Sequence, residues 1–418
     1  MVSWSIRFQQ QTTCEKHMKK LIDNKSIILG VTGGIAAYKS VEFLRLLTKM
    51  GAKVRVIMTQ NAQEFVGTIT FEALSGQPVC TSLFEKDGDA SVRHIEWANE
   101  ADAVVIVPAT ANIIGKLANG VADDALSTFM LAVTCPVMLC PSMNTHMFEN
   151  KAVQRNLERL KADGHFVIDP DSGELACGIT GPGRLPEPKD ILDRLLYYLS
   201  PKDLKDKRVL VTAGPTREPI DPVRFISNPS SGKMGFALAR AAEQRGGKVI
   251  LITGPTNLPD PNNITVIRAG TAREMAHAVF ENMEDSDIII KSAAVSDYRP
   301  KDQAEQKIKK KKDEMVLFLE KNQDILEELG RRKKAKILVG FAAETENLEK
   351  NAERKLAEKN LDIIAGNLVG QPSSGFGADT NKVTLFYKDG TKESLPEMGK
   401  DDVAHILLDR ILGLRAES

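Results

Sequence analysis

The chain carries no net excess of either charge, few cysteines and no long apolar run. Lysine plus arginine number 56 and aspartate plus glutamate 56, so no global bias draws it to nucleic acid or to an anionic membrane surface. Five cysteines, at positions 14, 80, 135, 140 and 177, form no CxxC pair and no zinc-like cluster with the six histidines. That odd count and scattered spacing predict reduced thiols in a cytoplasmic protein. No stretch is apolar over the length a bilayer requires. Polar Gln9-Gln10-Gln11-Thr12-Thr13 stands where a secretory signal would need its apolar segment. Residues 1–24 therefore read as a flexible tail, with a natural start expected near Met18.

The 418 residues exceed one comfortable core and predict two or three domains. From Ser26 the chain alternates short runs apolar on both faces (SIILGVT, KVRVIMT, ADAVVIVPAT, CPVMLCPSMN) with helical periodicity. Such runs are typical of parallel strands covered by helices. The rhythm restarts at Lys207 with KRVLVTAG, KVILITGP, DIIIKSAA and AKILVGFAAE. The expectation is α/β: two doubly wound, Rossmann or flavodoxin-like domains with mainly parallel sheets, at 25–200 and 207–418, joined by a charged linker. Asp389-Gly390 between alternating residues predicts a hairpin, and KIKKKK in the segment 300–312 predicts a mobile solvated loop.

The most informative stretch is ISNPSSGKMG, Ile226 to Gly235, between the strand-like VLVTAGPTREPID and the apolar helix FALARAAEQRG. A loop of this kind aims backbone N–H groups and a helix N-terminus at an anion, and Gly232 and Gly235 would let the main chain approach phosphate. It is no Walker A loop, because Met234 follows Gly232-Lys233 where Ser or Thr is needed. Nor does GxGxxG follow either first strand. A Ser-capped helix is the plain alternative. In the first half, GVTGGIAAYKS places Gly33 and Gly34 at a second strand-to-helix turn suited to a flavin phosphate, although glycine is common at such turns for steric reasons. Cys135 and Cys140 sit in an apolar run and read as buried filler, whereas Cys177 is flanked by glycine-rich sequence.

Together with Ala213-Gly-Pro-Thr-Arg-Glu-Pro219, the Ile226–Gly235 loop resembles the ligase half of the bacterial bifunctional phosphopantothenoylcysteine decarboxylase/phosphopantothenate–cysteine ligases of coenzyme A synthesis. Pro108-Ala109-Thr110 and Pro141-Ser142-Met143-Asn144 resemble the two signature loops of the flavin-containing cysteine decarboxylases. Val92-Arg93-His94-Ile95-Glu96-Trp97 resembles their histidine segment, and Ala176-Cys177-Gly178 with Gly181, Gly183 and Arg184 their substrate-covering flap. The resemblance runs from Lys25 to about Leu412. Phe148 replaces a frequent tryptophan, and Gln323 a frequent proline.

For the first half the resemblance implies FMN held by Gly33, Gly34, Ile35, Thr59, Pro108, Ala109 and Thr110. FMN would oxidise the substrate thiol to a thioaldehyde, leaving the carboxylate β to an electron sink. Cys177 would then protonate the ene-thiol, Asn144 would bind the substrate carboxylate and amide, and His94 would be a base near the thiol.

For the second half it implies CTP held by Lys291, Ser292, Ala293, Asp297, Lys307, Asn322, Gln323, Asp324, Ile325, Phe341, Lys355 and Lys359. Asp297 would also hold magnesium. Asn228 would act in collapse of an acyl-cytidylate and Lys307 in its formation. Small-molecule substrates are implied, with no nucleic acid and no membrane. A homo-oligomer built from trimeric decarboxylase and dimeric ligase contacts is expected. Two other classes fit parts of the sequence: a two-domain nucleotide-dependent oxidoreductase, and a flavin-binding regulatory protein, which would need neither Cys177 nor the ligase segments.

Overall fold

Apolar runs buried on both faces form the sheets. The computed structural model describes residues 21–83, 90–174, 178–309, 315–368 and 377–416, and its contacts divide the chain after Ser200. In the first unit, β1 (Ser26–Val31), β2 (Lys53–Met58), β3 (Ala103–Ala109), β4 (Val137–Pro141) and β5 (Phe166–Val167) form a sheet in the order β2-β1-β3-β4-β5. All its pairings are parallel. Every residue of β3 and of β4 is buried, which their unbroken apolar sequence requires. The strand order reverses direction between β1 and β3, so a crevice opens at the carboxyl ends of these two strands.

Two helices bring residues to that end, α1 (Ala37–Lys49) after β1 and α3 (Ala111–Ala118) after β3; between them in sequence, α2 (Ala90–Glu100) carries His94. A four-residue helix, α4 (Thr145–Phe148), follows β4 and is capped by Asn144. An antiparallel ribbon, β6 (Asp171–Glu174) with β7 (Thr180–Arg184), flanks the expected flap. Cys177 at its turn lies outside the described residues. Cys140 is fully buried in β4, where loss of hydration pushes its thiol up and leaves it inert.

In the second unit, β8 (Arg208–Ala213) leads into an antiparallel pair, β9 (Arg217–Pro219) and β10 (Phe225–Ser227), and then α5 (Lys233–Gln244). There follow β11 (Lys248–Thr253), β12 (Thr265–Arg268), β13 (Ile288–Lys291) and the ribbon β14 (Tyr298–Pro300) with β15 (Leu319–Lys321). Next come α6 (Ile325–Arg332), β16 (Ile337–Glu344), α7 (Leu348–Glu358) and β17 (Ile363–Leu368). The chain ends in β18 (Thr380–Asn381), β19 (Thr384–Tyr387), β20 (Lys392–Ser394), β21 (Met398–Gly399) and α8 (Lys400–Ala416). The main sheet runs β12-β11-β8-β13-β16-β17-β19-β20. It is parallel as far as β17 and antiparallel beyond. Its switch point lies between β8 and β13. Both sheets are therefore doubly wound as expected, and Asp389-Gly390 does turn the β19–β20 hairpin, with Gly390 at φ +86°.

The segment read as a linker belongs to the second unit. Leu204 is fully buried in the core that α5 and α8 share with one face of the sheet. Asp203 binds the nearly buried Arg245 guanidinium in bidentate fashion, at 2.8 and 2.5 Å, while Asp409 takes a third N–H at 2.8 Å. Among the described residues no helix is long and apolar enough to cross a membrane. Removing one partner of a charge-assisted pair costs about 1–3 kcal/mol. Asp203→Ala should therefore lower the stability of the second unit by about that amount, read as its melting transition, while Lys205→Ala on the exposed neighbour should change it by less than about 0.5 kcal/mol.

Candidate active sites

A cavity of about 880 Å³ opens at the β1/β3 crevice of the first unit, lined by Gly33, Gly34, Ile35, Thr59, Thr110 and Asn144 among others. The two glycines differ in kind. A Cβ on Gly33 would lie 2.5 Å from the Asn61 Cβ and 2.8 Å from its carbonyl, so packing alone demands glycine there. A Cβ on Gly34 would meet nothing nearer than the Thr110 methyl at 3.6 Å. Protein packing does not require glycine at 34; the space beside it is open to a ligand. The first turn of α1 has no side-chain cap and no acidic residue; the Ala37 and Lys39 N–H groups donate to the Gly34 and Ala36 carbonyls at 2.9 and 3.0 Å, and the partial positive charge of the helix start favours an anion.

Pro108 and Ala109 do not line this cavity. Both are buried within β3, where the Thr32 hydroxyl donates to the Pro108 carbonyl at 2.7 Å and accepts the Thr110 N–H at 3.2 Å. They hold Thr110 in place from below. Asn144 lines the cavity, its side-chain oxygen accepting the His146 N–H at 2.9 Å. His94 does not line it. It is half-buried on α2, and its Nδ1 is buried without a hydrogen-bond partner among the described residues. A phosphate-bearing flavin fits the uncapped turn, the open flank of Gly34 and the volume available.

In the second unit one cavity of about 490 Å³ lies over the β8/β13 switch point. Asn228, Lys291, Ser292, Ala293, Asp297, Asn322, Gln323, Asp324, Ile325, Phe341, Lys355 and Lys359 all line it. The strand ends explain the convergence: β13 ends at Lys291, β16 carries Phe341, and Asp324 caps α6 by accepting the Glu327 N–H at 3.0 Å. The Asn228 amide donates to the Val295 carbonyl at 3.0 Å, joining the end of β10 to the segment after β13. Lys355 pairs with Glu344 and Lys359 with Asp324, each at 2.6 Å. Loss of hydration, then the ammonium groups of Lys359 and Lys355, draw Lys291 down to about 8 against the pull of Asp324 and Asp297.

Lys307 does not line the cavity. It is exposed, and its segment is moored rather than free. The Ala304 N–H donates to the Ile220 carbonyl at 3.0 Å. The Ile308 N–H donates to the Asp221 carboxylate at 3.1 Å, and Arg224 donates to the Ile308 carbonyl at 3.0 Å. Asp221 is buried, and its hydrogen bonds from Arg224 hold its carboxyl well below the usual range. The part of KIKKKK after Lys309 lies outside the described residues.

Gly235, read from sequence as a phosphate contact, has a packing role as well: its Cβ would lie 2.5 Å from that of Ala213 and 2.9 Å from the Thr212 carbonyl. The candidate list drawn from sequence did not contain Asn367, Asn381 and Lys400, which also line the cavity. Asn367 comes from β17, the last parallel strand, and Asn381 and Lys400 from the C-terminal elements beyond it, none of which carries a motif. Among the described residues no group of three His, Cys, Asp or Glu side chains could hold a metal. A magnesium ion held by one carboxylate and substrate phosphates requires none, and exposed Asp297 offers that carboxylate.

Two family descriptions match: "DNA/pantothenate metabolism flavoprotein C-terminal domain" over residues 204–414 and "Flavoprotein" over residues 15–199. The chain is 48% identical over 402 residues to the coenzyme A biosynthesis bifunctional protein CoaBC of Bacillus subtilis (strain 168), covering 95% of this chain and 99% of that one. It is 46% identical over 393 residues to the protein of the same name from Escherichia coli (strain K12), covering 93% and 97%. A crystal structure of the C-terminal domain of a CoaBC protein is 42% identical, covers 51% of this chain and 98% of that chain, and aligns with a TM-score of 0.45.

Lys291 loses its charge above about 8, so the attraction of the second cavity for polyanions weakens as pH rises through that value. Tripolyphosphate affinity, measured by calorimetry at pH 7 and pH 9, should fall several-fold more in the wild type than in Lys291→Met. The variant cancels the ligand's own ionisation; equal pH dependence in both would refute the assignment.

Proposed function

The chain belongs to the family of bifunctional coenzyme A biosynthesis proteins, which unite a ligase with a decarboxylase, and from that membership we propose a division of labour between its two units. The second joins cysteine to 4'-phosphopantothenate with CTP and magnesium. The first converts the product, 4'-phosphopantothenoylcysteine, to 4'-phosphopantetheine with FMN. The observation that carries this reading is the gathering of Asn228 and of every proposed nucleotide residue except Lys307 around one cavity at the switch point.

In the ligase unit a substrate carboxylate oxygen attacks the α-phosphorus of CTP and pyrophosphate leaves. The cysteine amine then attacks the acyl carbon and CMP leaves. Lys291, Lys355 and Lys359 supply positive charge to the nucleotide, and Asp297 holds magnesium against its phosphates. Asn228, fixed through Val295, orients the acyl phosphate during the second step. Lys307, outside the cavity in this structure, acts in the first step after its moored segment moves.

In the decarboxylase unit the uncapped start of α1 and the open flank of Gly34 hold the FMN phosphate. FMN, when bound there, would supply reversible two-electron redox chemistry to the substrate thiol. Asn144 donates to the substrate carboxylate, and Cys177 delivers the final proton. His94 sits beside exposed Ile95 and outside the cavity of its own chain, as a residue offered to a second copy would. The exposed apolar Ile35, Tyr38 and Ile69 suit such an assembly. The setting proposed is cytoplasmic.

Pyrophosphate release with CTP, ATP, GTP and UTP in turn, with phosphopantothenate and cysteine present, tests the ligase reading; CTP should be preferred. Lys307→Gln should bind CTP but release little pyrophosphate, whereas Asn228→Asp should accumulate the acyl-cytidylate, seen by mass spectrometry of quenched reactions. The reverse pattern would exchange their roles. His94→Ala and Asn144→Ala should each lose decarboxylation at least 100-fold, and hetero-oligomers of the two should regain part of it. No recovery in verified mixed oligomers would place His94 in its own chain's site.

A further inference from the structure

The end of the ligase cavity formed by the starts of α5 and α8 gathers two lysines. α5 begins with Lys233, has no acidic residue in its first turn and follows Gly232 at φ +77°, with the Ser230 and Ser231 hydroxyls accepting the Gly232 and Lys233 N–H groups at 3.3 and 3.5 Å. A lysine at the first position of a helix stands against the macrodipole, which favours an anion there. α8 also begins with lysine, the nearly buried Lys400, but Asp401, which accepts from Arg240, and Asp402 follow it; both lysines line the cavity. Their partners among the described residues are these. Lys233 donates to the Gly377 carbonyl at 2.9 Å and to Asp379 at 2.6 Å, and Lys400 donates to the Ala378 carbonyl. Asp379 is 89% exposed and is the carboxylate that faces both ammonium groups. Burial and the Lys233 charge together lower the affinity of Lys400 for its proton, which an incoming anion would restore.

Beside the lysines an amide pair adds a second kind of recognition. Asn367 Nδ2 donates to Asn381 Oδ1 at 2.7 Å, while Asn381 Nδ2 is spent on the weakly accepting Met234 sulfur at 3.9 Å. The Asn367 side-chain oxygen is buried without a partner among the described residues, although Asn367 lines the cavity. An acceptor left in this way calls for an O–H or N–H from a ligand. The tail of a nucleoside triphosphate offers no such donor. A phosphorylated hydroxy-amide offers phosphate and donor in one molecule.

We propose that Lys233 and Lys400 form a subsite for the phosphate monoester of the acid substrate, with Asn367 accepting a hydroxyl or amide hydrogen of the same molecule. The subsite rests on the ligase reading of this cavity and assigns its ends: the acid's phosphate at the starts of α5 and α8, the nucleotide at Lys291, Lys355 and Lys359. Asp379 holds Lys233 until the phosphate displaces it, so the carboxylate is a competitor of the substrate.

Steady-state ligase kinetics on the full chain test the assignment. Lys233→Gln and Lys400→Gln should each raise the KM for phosphopantothenate at least tenfold and leave the KM for CTP within about twofold. Asp379→Asn should lower the KM for phosphopantothenate severalfold. Unphosphorylated pantothenate should be a poor substrate for the wild type and no poorer for the variants. A rise in the KM for CTP with that for the acid unchanged would overturn the proposal in favour of the triphosphate tail, and no change in either would remove the subsite. Should buried Lys400→Gln fail to fold, half-exposed Lys233→Gln decides alone. Inorganic phosphate binding by calorimetry supplies an arm without turnover. Binding by the wild type that Lys233→Gln weakens tenfold supports the subsite even if CTP yields no pyrophosphate, a result that would instead refute the ligase reading; equal phosphate binding by both proteins would overturn the subsite itself.

Discussion

Close approach of main chain to main chain, at points where a single Cβ would collide, sets the geometry of both sites. Gly33 is pressed against Asn61, and Gly235 brings α5 down onto the end of β8 at Thr212 and Ala213. Neither contact touches a ligand directly. Each fixes the height of a helix start, with its partial positive charge, above the carboxyl ends of parallel strands. Were either helix lifted by a methyl group, the N–H groups, the lysine that opens α5 and the neighbouring loops would all lose register with the strand ends that complete the cavity.

The doubly wound architecture was legible because its physical cause is local: strands covered on both faces must be apolar throughout, as β3 and β4 are. The proposed nucleotide residues came from the family resemblance rather than from local physics; the sheet brings those after β13, before α6 and along β16 to one cavity because they lie at strand ends. Other features depend on partners distant in sequence. Nothing near Lys307 reveals that buried Asp221 moors its segment, so a run of lysines read as mobile. Pro108 and Ala109 read as cofactor contacts, yet they lie in the buried strand and shape the site through Thr32 and Thr110. The charged residues 201–206 read as a linker because their composition is polar; Leu204 and Asp203 are tied instead to the core and to Arg245. Lys400 at the start of α8 and Asn367 on β17 join the site from C-terminal elements that carry no motif.

Charge in the ligase cavity is arranged in pairs that a ligand can rearrange. Lys355 with Glu344 and Lys359 with Asp324 are held short and partly buried, so these side chains are already ordered before any anion arrives. Ordering long side chains in advance reduces the entropic cost of binding. The pairs also limit the repulsion that three neighbouring ammonium groups would otherwise impose on the empty site, a repulsion to which Lys291 responds by holding its proton less tightly.

The turn between β9 and β10 grips the lysine segment through Ile220, Asp221 and Arg224, and the same hairpin ends in Ser227 and Asn228. The residues proposed for the two successive half-reactions thus hang from one short lever. Displacing residues 301–309 must either break three hydrogen bonds at its tip or carry the lever along, and Asn228 stands at its fulcrum, fastened to Val295. A displacement that kept those bonds would therefore pull on the Asn228 mounting, and one that broke them would leave the buried Asp221 carboxylate with one donor fewer.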